Sequence, residues 1–244
     1  MVIDCQAQIG DFKGDAYTWL KEPIGIPQLL AVMDRYGIDK TIVMAATEQS
    51  PKNIAVAEAI RASDRLLSFA FINPYEEQGG VPLLRQAVLD YGMKGLKLQP
   101  ARHAYEIDGS NAVPLMREAR ELGIPVMIHS GTNYCLPWQI AMLARQFPEV
   151  PVIMDHMGWR YYVDGAIDVA KDYSNIYLET ALVAMPGYIR MAVDKIGPER
   201  VIYGSDYPIG HPASMIANVD AADLSPADRA LVMGDNLVRL LKLS

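Results

Sequence analysis

Apolar residues in this chain collect into eight short runs, each followed by a longer stretch of different period. The runs span 2–5, 41–46, 66–72, 95–99, 125–129, 152–156, 175–179 and 201–206, and they read as strands. Between them the apolar positions follow helical spacing, as in the segment 82–89, Pro-Leu-Leu-Arg-Gln-Ala-Val-Leu. Asn111-Ala112-Val113-Pro114 reads as a helix start with Asn111 as the cap. Gly92, Gly123 and Gly197 stand where helices should stop. Most runs start roughly 25–30 residues after the last, about the length of a strand–helix unit. Eight such units without a break in composition predict a (β/α)8 TIM barrel in a single domain over 1–244. The segment 225–243 is expected to add one or two closing helices, interrupted near Gly234-Asp235-Asn236.

A barrel of this kind builds its site from the C-terminal ends of its strands. Polar residues recur there. The first strand carries Asp4, Gln6 and Gln8, which strict alternation places on one face, with Cys5 and Ala7 outward under a helix. On the fourth, Leu96 and Leu98 should face the helices, leaving Lys97 and Gln99 toward the axis. The fifth, sixth, seventh and eighth end in His129, His156, Glu179 and Asp206. On the eighth, Ile202, Gly204 and Asp206 share a face, and Gly204 makes room for a ligand or a neighbouring side chain.

Taken singly, each residue has a structural reading. A histidine at a strand end is commonly just hydrogen-bonded, and Lys97 could be an interior ion-pair partner. Glu179 and Gln99 read as structural or peripheral, and His103 and His211 as solvated or capping loop residues. The convergence of His129, His156 and Asp206 with Gln6 and Gln8 on one mouth is what points to a site. Asp206, His156, His129 and Lys97 are its candidate catalytic groups. Gln6, Gln8, Arg102, Arg160 and Trp159 are its candidate substrate contacts. The two arginines, in the loops after the fourth and sixth strands, suit a carboxylate. Trp159, with Trp19, Trp138, Tyr161 and Tyr162, could wall an apolar pocket.

Composition narrows the class further. Lysine and arginine total 22 against 29 acidic residues, a net charge of −7 without a basic run, so nucleic acid is not an expected partner. Cys5 and Cys135 are the only cysteines and form no CxxC motif, which suits a reducing cytoplasm. No apolar run approaches the about 20 residues that span a bilayer, and no leader pattern precedes the first strand. The expected partner is a small, carboxylated molecule, and a homo-oligomer is compatible with the sequence.

Several stretches resemble one family. Ile3-Asp4-Cys5-Gln6-Ala7-Gln8-Ile9-Gly10 is similar to the first strand of the amidohydrolase superfamily, where the pattern is Asp-x-His-x-His. Ile128-His129-Ser130-Gly131, Asp155-His156-Met157-Gly158 and Tyr203-Gly204-Ser205-Asp206-Tyr207-Pro208 resemble its fifth, sixth and eighth strands. Gly234-Asp235-Asn236, followed by Arg239-Leu240-Leu241, resembles the closing helix of the amidohydrolase-related branch, which includes aminocarboxymuconate semialdehyde decarboxylase, resorcylate decarboxylases and pyrone dicarboxylate lactonase. The resemblance implies a divalent metal held by the strand-one histidine pair, the strand-five histidine and the strand-eight aspartate. Here glutamine replaces both strand-one histidines. An amide oxygen is a neutral, weak ligand compared with imidazole, so no tightly bound metal is expected. A weak divalent ion on His129, Asp206, Gln6 and Gln8 remains compatible with the pattern.

Three activities follow as expectations. The first is hydrolysis of a small carboxylated lactone, ester or amide with Asp206 as general base, favoured because decarboxylation leans harder on the metal. The second is metal-dependent decarboxylation of a small aromatic or muconate-like acid. The third is a barrel that binds a small acid without turning it over. Loss of a dication leaves Asp206 short of positive charge, so the Lys97 ammonium is expected near it or near a water bridging to it.

Overall fold

The structure, a computed structural model, describes residues 1–12, 19–45 and 53–243. Ala46, the last residue of the second expected run, lies outside them. All eight expected runs form strands: β1 (Ile3–Ile9), β2 (Lys40–Ala45), β3 (Leu66–Phe71), β4 (Gly95–Leu98), β5 (Val126–Ile128), β6 (Val152–Met154), β7 (Ile176–Glu179) and β8 (Val201–Ile202). They follow one another in sequence order in one parallel sheet, with helices between them. Three backbone bonds bring the last strand back to the first. Cys5 N–H donates to Tyr203 O at 3.1 Å, Gln8 N–H to Tyr207 O at 2.7 Å, and Asp206 N–H to Gln6 O at 2.9 Å. The result is the (β/α)8 barrel.

Two apolar layers hold it. Strand residues such as Val43, Leu96, Leu98, Val126, Ile128, Leu178 and Val201 pack under the helices. Ile3, Cys5, Ile42, Phe69, Met127, Ile153 and Ile202 form a second cluster inside the barrel. The helix Asn236–Leu240 and the turn after it press Leu237 and Leu241 against that inner cluster. Each of these aliphatic side chains contributes about 1.5–3 kcal/mol when fully buried. The closing segment comprises the helices Pro226–Ala230 and Asn236–Leu240 with a widened turn at Leu231–Asp235 between them. Ser225 Oγ caps the first, accepting from Asp228 N–H at 3.1 Å. The interruption falls at Gly234, whose backbone leaves the helical region and where a Cβ would lie 2.3 Å from Met1 O. Among the described residues no helix is long and apolar enough to cross a membrane.

Two local expectations fail. Asn111 does not cap the helix Val113–Leu122. Ala112 occupies the cap position without a side-chain bond, while the Asn111 amide reaches the Tyr75 hydroxyl at 3.5 Å. More consequential is β1. Its register against β2 runs Asp4 to Thr41 and then Ala7 to Val43, so one extra residue is inserted as a bulge. Alternation therefore breaks: Cys5 joins the inner cluster rather than facing a helix, while Ala7 does pack in the helix layer. Asp4 is separated from the face of Gln6 and Gln8. Its carboxylate accepts Gln6 N–H at 3.1 Å, Ser205 N–H at 2.8 Å and the Ser205 hydroxyl.

Candidate functional site

A cavity of about 230 Å³ opens at the C-terminal ends of the strands. It is small for a ligand pocket, with room for about one ring and its substituents. Gln6, Gln8, Lys97, Gln99, Arg102, His129, His156, Trp159 and Asp206 all line it, beside apolar walls from Phe71, Leu182 and Ile209. Regular alternation on β4 sends Leu96 and Leu98 under the helices and Lys97 inward.

The β1–β8 side of the cavity is closed by hydrogen bonds. Gln6 Nε2 and Gln8 Nε2 both donate to Asp206 Oδ1 at 2.6 Å. Asp206 itself sits at φ 54, a left-handed conformation that costs a non-glycine residue about 1–3 kcal/mol. Its N–H bond to Gln6 O and its carbonyl bond from Gly210 N–H at 2.9 Å hold it there. Burial raises the Asp206 carboxyl above its ordinary value, against the lowering influence of His156 and Lys97. Nearby, burial pushes the Asp4 carboxyl up to about 7 despite its hydrogen bonds from Ser205 and Gln6.

The β4–β6 side is built on charge. Lys97, 4 % exposed, is turned into the cavity where its charge acts on Asp206, but its direct ion pair is with Asp155. The physical reason lies in the turn after β6. The strand ends at Met154, and His156, Met157 and Trp159 take φ of 56°, 47° and 53°, so Asp155 and His156 converge instead of alternating. His129 Nδ1 and His156 Nε2 each lie 3.6 Å from Asp155 Oδ1, with the two rings edge to face at 5.0 Å. Ser130 N–H also donates to that oxygen, at 3.0 Å. Burial alone would raise the Asp155 carboxyl, but its neighbours, His156 and Lys97 foremost, pull it below its usual range. Burial lowers His129 to about 3, against the pull of Asp155, and keeps its imidazole neutral.

Glu179 is fully buried beneath His156. It accepts His156 N–H at 3.0 Å and Ala181 N–H at 2.8 Å, and burial followed by Asp155 holds its carboxyl well above the usual range. Gly204 makes room for this side chain rather than for a ligand, since a Cβ there would lie 1.7 Å from Glu179 Oε1.

Some expected contacts do not form. Arg160 is exposed and stacks on the Trp159 ring at 5.2 Å, outside the cavity, because the turn at Trp159 points the chain away. Trp19 and Tyr161 are exposed, and Trp138 pairs edge to face with Tyr162; none of the four lines the cavity. His103 is buried against Phe71 and Tyr105 rather than solvated. His211 caps the helix Pro212–Asp220, its Nδ1 accepting from Ala213 N–H at 3.2 Å. Asp155 is the residue that sequence reasoning missed. Its place beside His156 in Asp-His-Met-Gly was a signal, hidden by assuming alternation to the end of the strand.

The family's metal can be tested against these donors. Gln6 and Gln8 present N–H to Asp206 Oδ1, so protons already occupy one oxygen of the carboxylate that would ligate an ion. Turning the amides to offer oxygen would set two carbonyl dipoles against a carboxylate. The residues at this place do not fit the divalent ion that the resemblance implies.

The sequence pattern of the amidohydrolase family matches residues 16–243. Among solved structures, an uncharacterized TIM-barrel protein from Bordetella bronchiseptica superposes with a TM-score of 0.83 at 20% identity, covering 99% of this chain and 98% of that one. A 2,6-dihydroxybenzoate decarboxylase from Rhizobium gives 0.73 at 18% identity, covering 99% and 98%. A 5-carboxyvanillate decarboxylase from Novosphingobium aromaticivorans, complexed with manganese and 4-hydroxy-3-methoxy-5-nitrobenzoic acid, gives 0.79 at 17% identity, covering 100% and 96%.

Proposed function

This chain belongs to the amidohydrolase family, and from that premise we propose that it decarboxylates a small carboxylated ring acid, with Asp206 as the proton donor. The observation that carries the reading is the grip of both strand-one amides on Asp206 Oδ1 at the floor of a one-ring cavity. Burial raises the Asp206 carboxyl against the lowering pull of His156, Lys97 and the Gln6 amide, so it holds a proton more readily than an exposed acid, as a general acid requires. The likeness of the fold to two decarboxylases of aromatic acids supports decarboxylation over the hydrolysis that the loss of the histidine pair suggested.

In this reading Arg102 orients the incoming acid at the cavity wall. The Asp206 proton moves to the ring carbon that bears the carboxylate. The bond from that carbon to the carboxylate then breaks, its electron pair restores the ring, and CO2 leaves. Asp206 recovers a proton from solvent, so one proton is consumed for each CO2 released. Gln6 and Gln8 keep the carboxyl aimed throughout and stabilise the anion left after transfer.

A second reading, hydrolysis of a carboxylated lactone, draws on the same two amides, which could hold an anionic Asp206 as the base for water. One experiment separates them. A panel of mono- and dihydroxybenzoates and carboxylated lactones is incubated in D2O, with headspace CO2 and product mass as readouts. Decarboxylation gives CO2 and one deuterium at the vacated carbon, and Asp206→Asn lowers the rate by about 10²–10⁴-fold. Ring-opened acid without CO2, or full turnover by Asp206→Asn, overturns the proposal.

A further inference from the structure

Among the described residues three carboxyl groups, those of Asp155, Glu179 and Asp206, are buried around this mouth, against one buried ammonium, Lys97. Among these groups lies an unusual contact. His156 Nδ1 lies 3.2 Å from Ala181 O. A carbonyl only accepts, so Nδ1 carries a proton, and in the neutral imidazole Nε2 presents a lone pair. That lone pair lies 3.6 Å from Asp155 Oδ1, and His129 Nδ1 lies 3.6 Å from the same oxygen. The separation is too long for a hydrogen bond and repulsive for bare lone pairs. It is close to the span of two ligands that each sit about 2.1 Å from one ion. The ligand atoms of His129, Asp155 and His156 all lie within 4.8 Å of one another.

We propose that a divalent transition-metal ion binds between His129 Nδ1, His156 Nε2 and Asp155 Oδ1, displaced toward β5 and β6 from the place that the family resemblance implies. Two neutral imidazoles and one carboxylate form a donor set suited to Mn²⁺, Fe²⁺ or Zn²⁺. The supporting contacts are those a ligating histidine needs. Ala181 O fixes the His156 tautomer, and Glu179 anchors its backbone N–H. Lys97 holds Asp155 Oδ2, which leaves Oδ1 turned toward the imidazoles. The left-handed turn at His156 and Met157 is what brings two successive residues to one ion. Gln6 and Gln8 have no part in it, so replacement of the histidine pair removes one site without touching the other.

The test uses the whole chain, stripped with chelator and dialysed against Zn²⁺ or Mn²⁺. Bound metal is counted by elemental analysis and affinity is measured by calorimetry. Turnover is not needed, so failure of the decarboxylase reading would leave the result intact. One ion per chain is expected. Asp155→Asn and His156→Ala should each weaken binding by about tenfold or more, while Asp206→Asn and the Gln6→Met/Gln8→Met pair change it less than about threefold, within the scatter of remote substitutions. Should Asp155→Asn fold poorly, pulsed EPR of the Mn²⁺-loaded wild type decides instead, with hyperfine coupling from two imidazoles expected. No stoichiometric ion in the wild type, coupling from one imidazole, or binding lost on Asp206→Asn but kept in His156→Ala would overturn the proposal.

Discussion

The two sides of the cavity solve the same problem, a buried carboxylate, in opposite ways. On the β1–β8 side Asp206 is satisfied by neutral amides, and the β1 carboxyl, Asp4, turns away to bond Ser205. On the β4–β6 side Asp155 is satisfied by a full charge, the Lys97 ammonium, with two imidazoles beside it. Amide donors tolerate either protonation state of a carboxyl at modest cost. An ion pair demands the charged state and penalises loss of either member. The first arrangement therefore suits a group that gives up and regains a proton, and the second a fixed scaffold of charge.

The largest break in this contrast comes from Lys97→Met. It leaves Asp155 buried without its counter-charge and should cost about 3–5 kcal/mol in urea unfolding. Adding Asp155→Asn to it should recover a large part of that loss, because the stranded charge is gone. A double variant as unstable as the single one would mean that Lys97 acts through packing alone. Next in size is Gly204→Ala. Its Cβ would displace Glu179 from His156 N–H and Ala181 N–H, with a destabilisation of about 1–3 kcal/mol by thermal or urea unfolding. Ser205→Ala serves as a control at the neighbouring position, where the lost partner is Asp4 rather than Glu179.

Asp4 provides a smaller, pH-dependent effect. Its unfolded carboxyl titrates near 4 by about the usual value, whereas the folded one sits at about 7. The folded chain thus binds the proton more tightly. The stabilisation is fully present below the unfolded value and is lost as pH rises toward the folded one. Unfolding free energy should decline across that interval in the wild type. Asp4→Asn, neutral throughout and still able to accept from Gln6 N–H and Ser205 N–H, should flatten the decline. An unchanged pH profile would show that the Ser205 bonds, rather than burial, control the group.

How much of this was legible in the sequence divides along the same line. All eight strands could be read because strands of a parallel barrel are buried on both faces and appear as near-continuous apolar runs. Inward placement of Lys97 followed from plain alternation on β4, whereas Asp206 reaches the cavity from beyond the end of β8, in a left-handed conformation. Alternation failed where the backbone departs from it. The extra residue in β1 is marked by no glycine or proline, so Asp4 was grouped with Gln6 and Gln8 and Cys5 was turned outward. The left-handed residues after β6 carry ordinary side chains, so Asp155 was passed over as the ion-pair partner of Lys97. Periodicity locates side chains only as far as the strand stays regular, and this site is built just beyond that limit on both sides.

The smallest expected effect concerns Arg160 and sharpens the contrast from outside. Sequence position made it equivalent to Arg102, each an arginine a few residues past a strand end. In the fold Arg102 lines the cavity, while Arg160 lies over the outer face of Trp159 at 5.2 Å. An exposed cation–π contact is worth about 0.5–1 kcal/mol, so Arg160→Ala should shift unfolding by no more than that. It should leave KM for an acid substrate within about twofold, since a surface change away from such features rarely exceeds ±0.5 kcal/mol. Arg102→Ala should raise KM by about tenfold or more, as loss of a charge-assisted hydrogen bond of about 1.5–3 kcal/mol implies. Equal effects of the two substitutions would mean that the loop after β6 closes over the ligand and carries Arg160 inward. The boundary of the site would then have to be redrawn to include it.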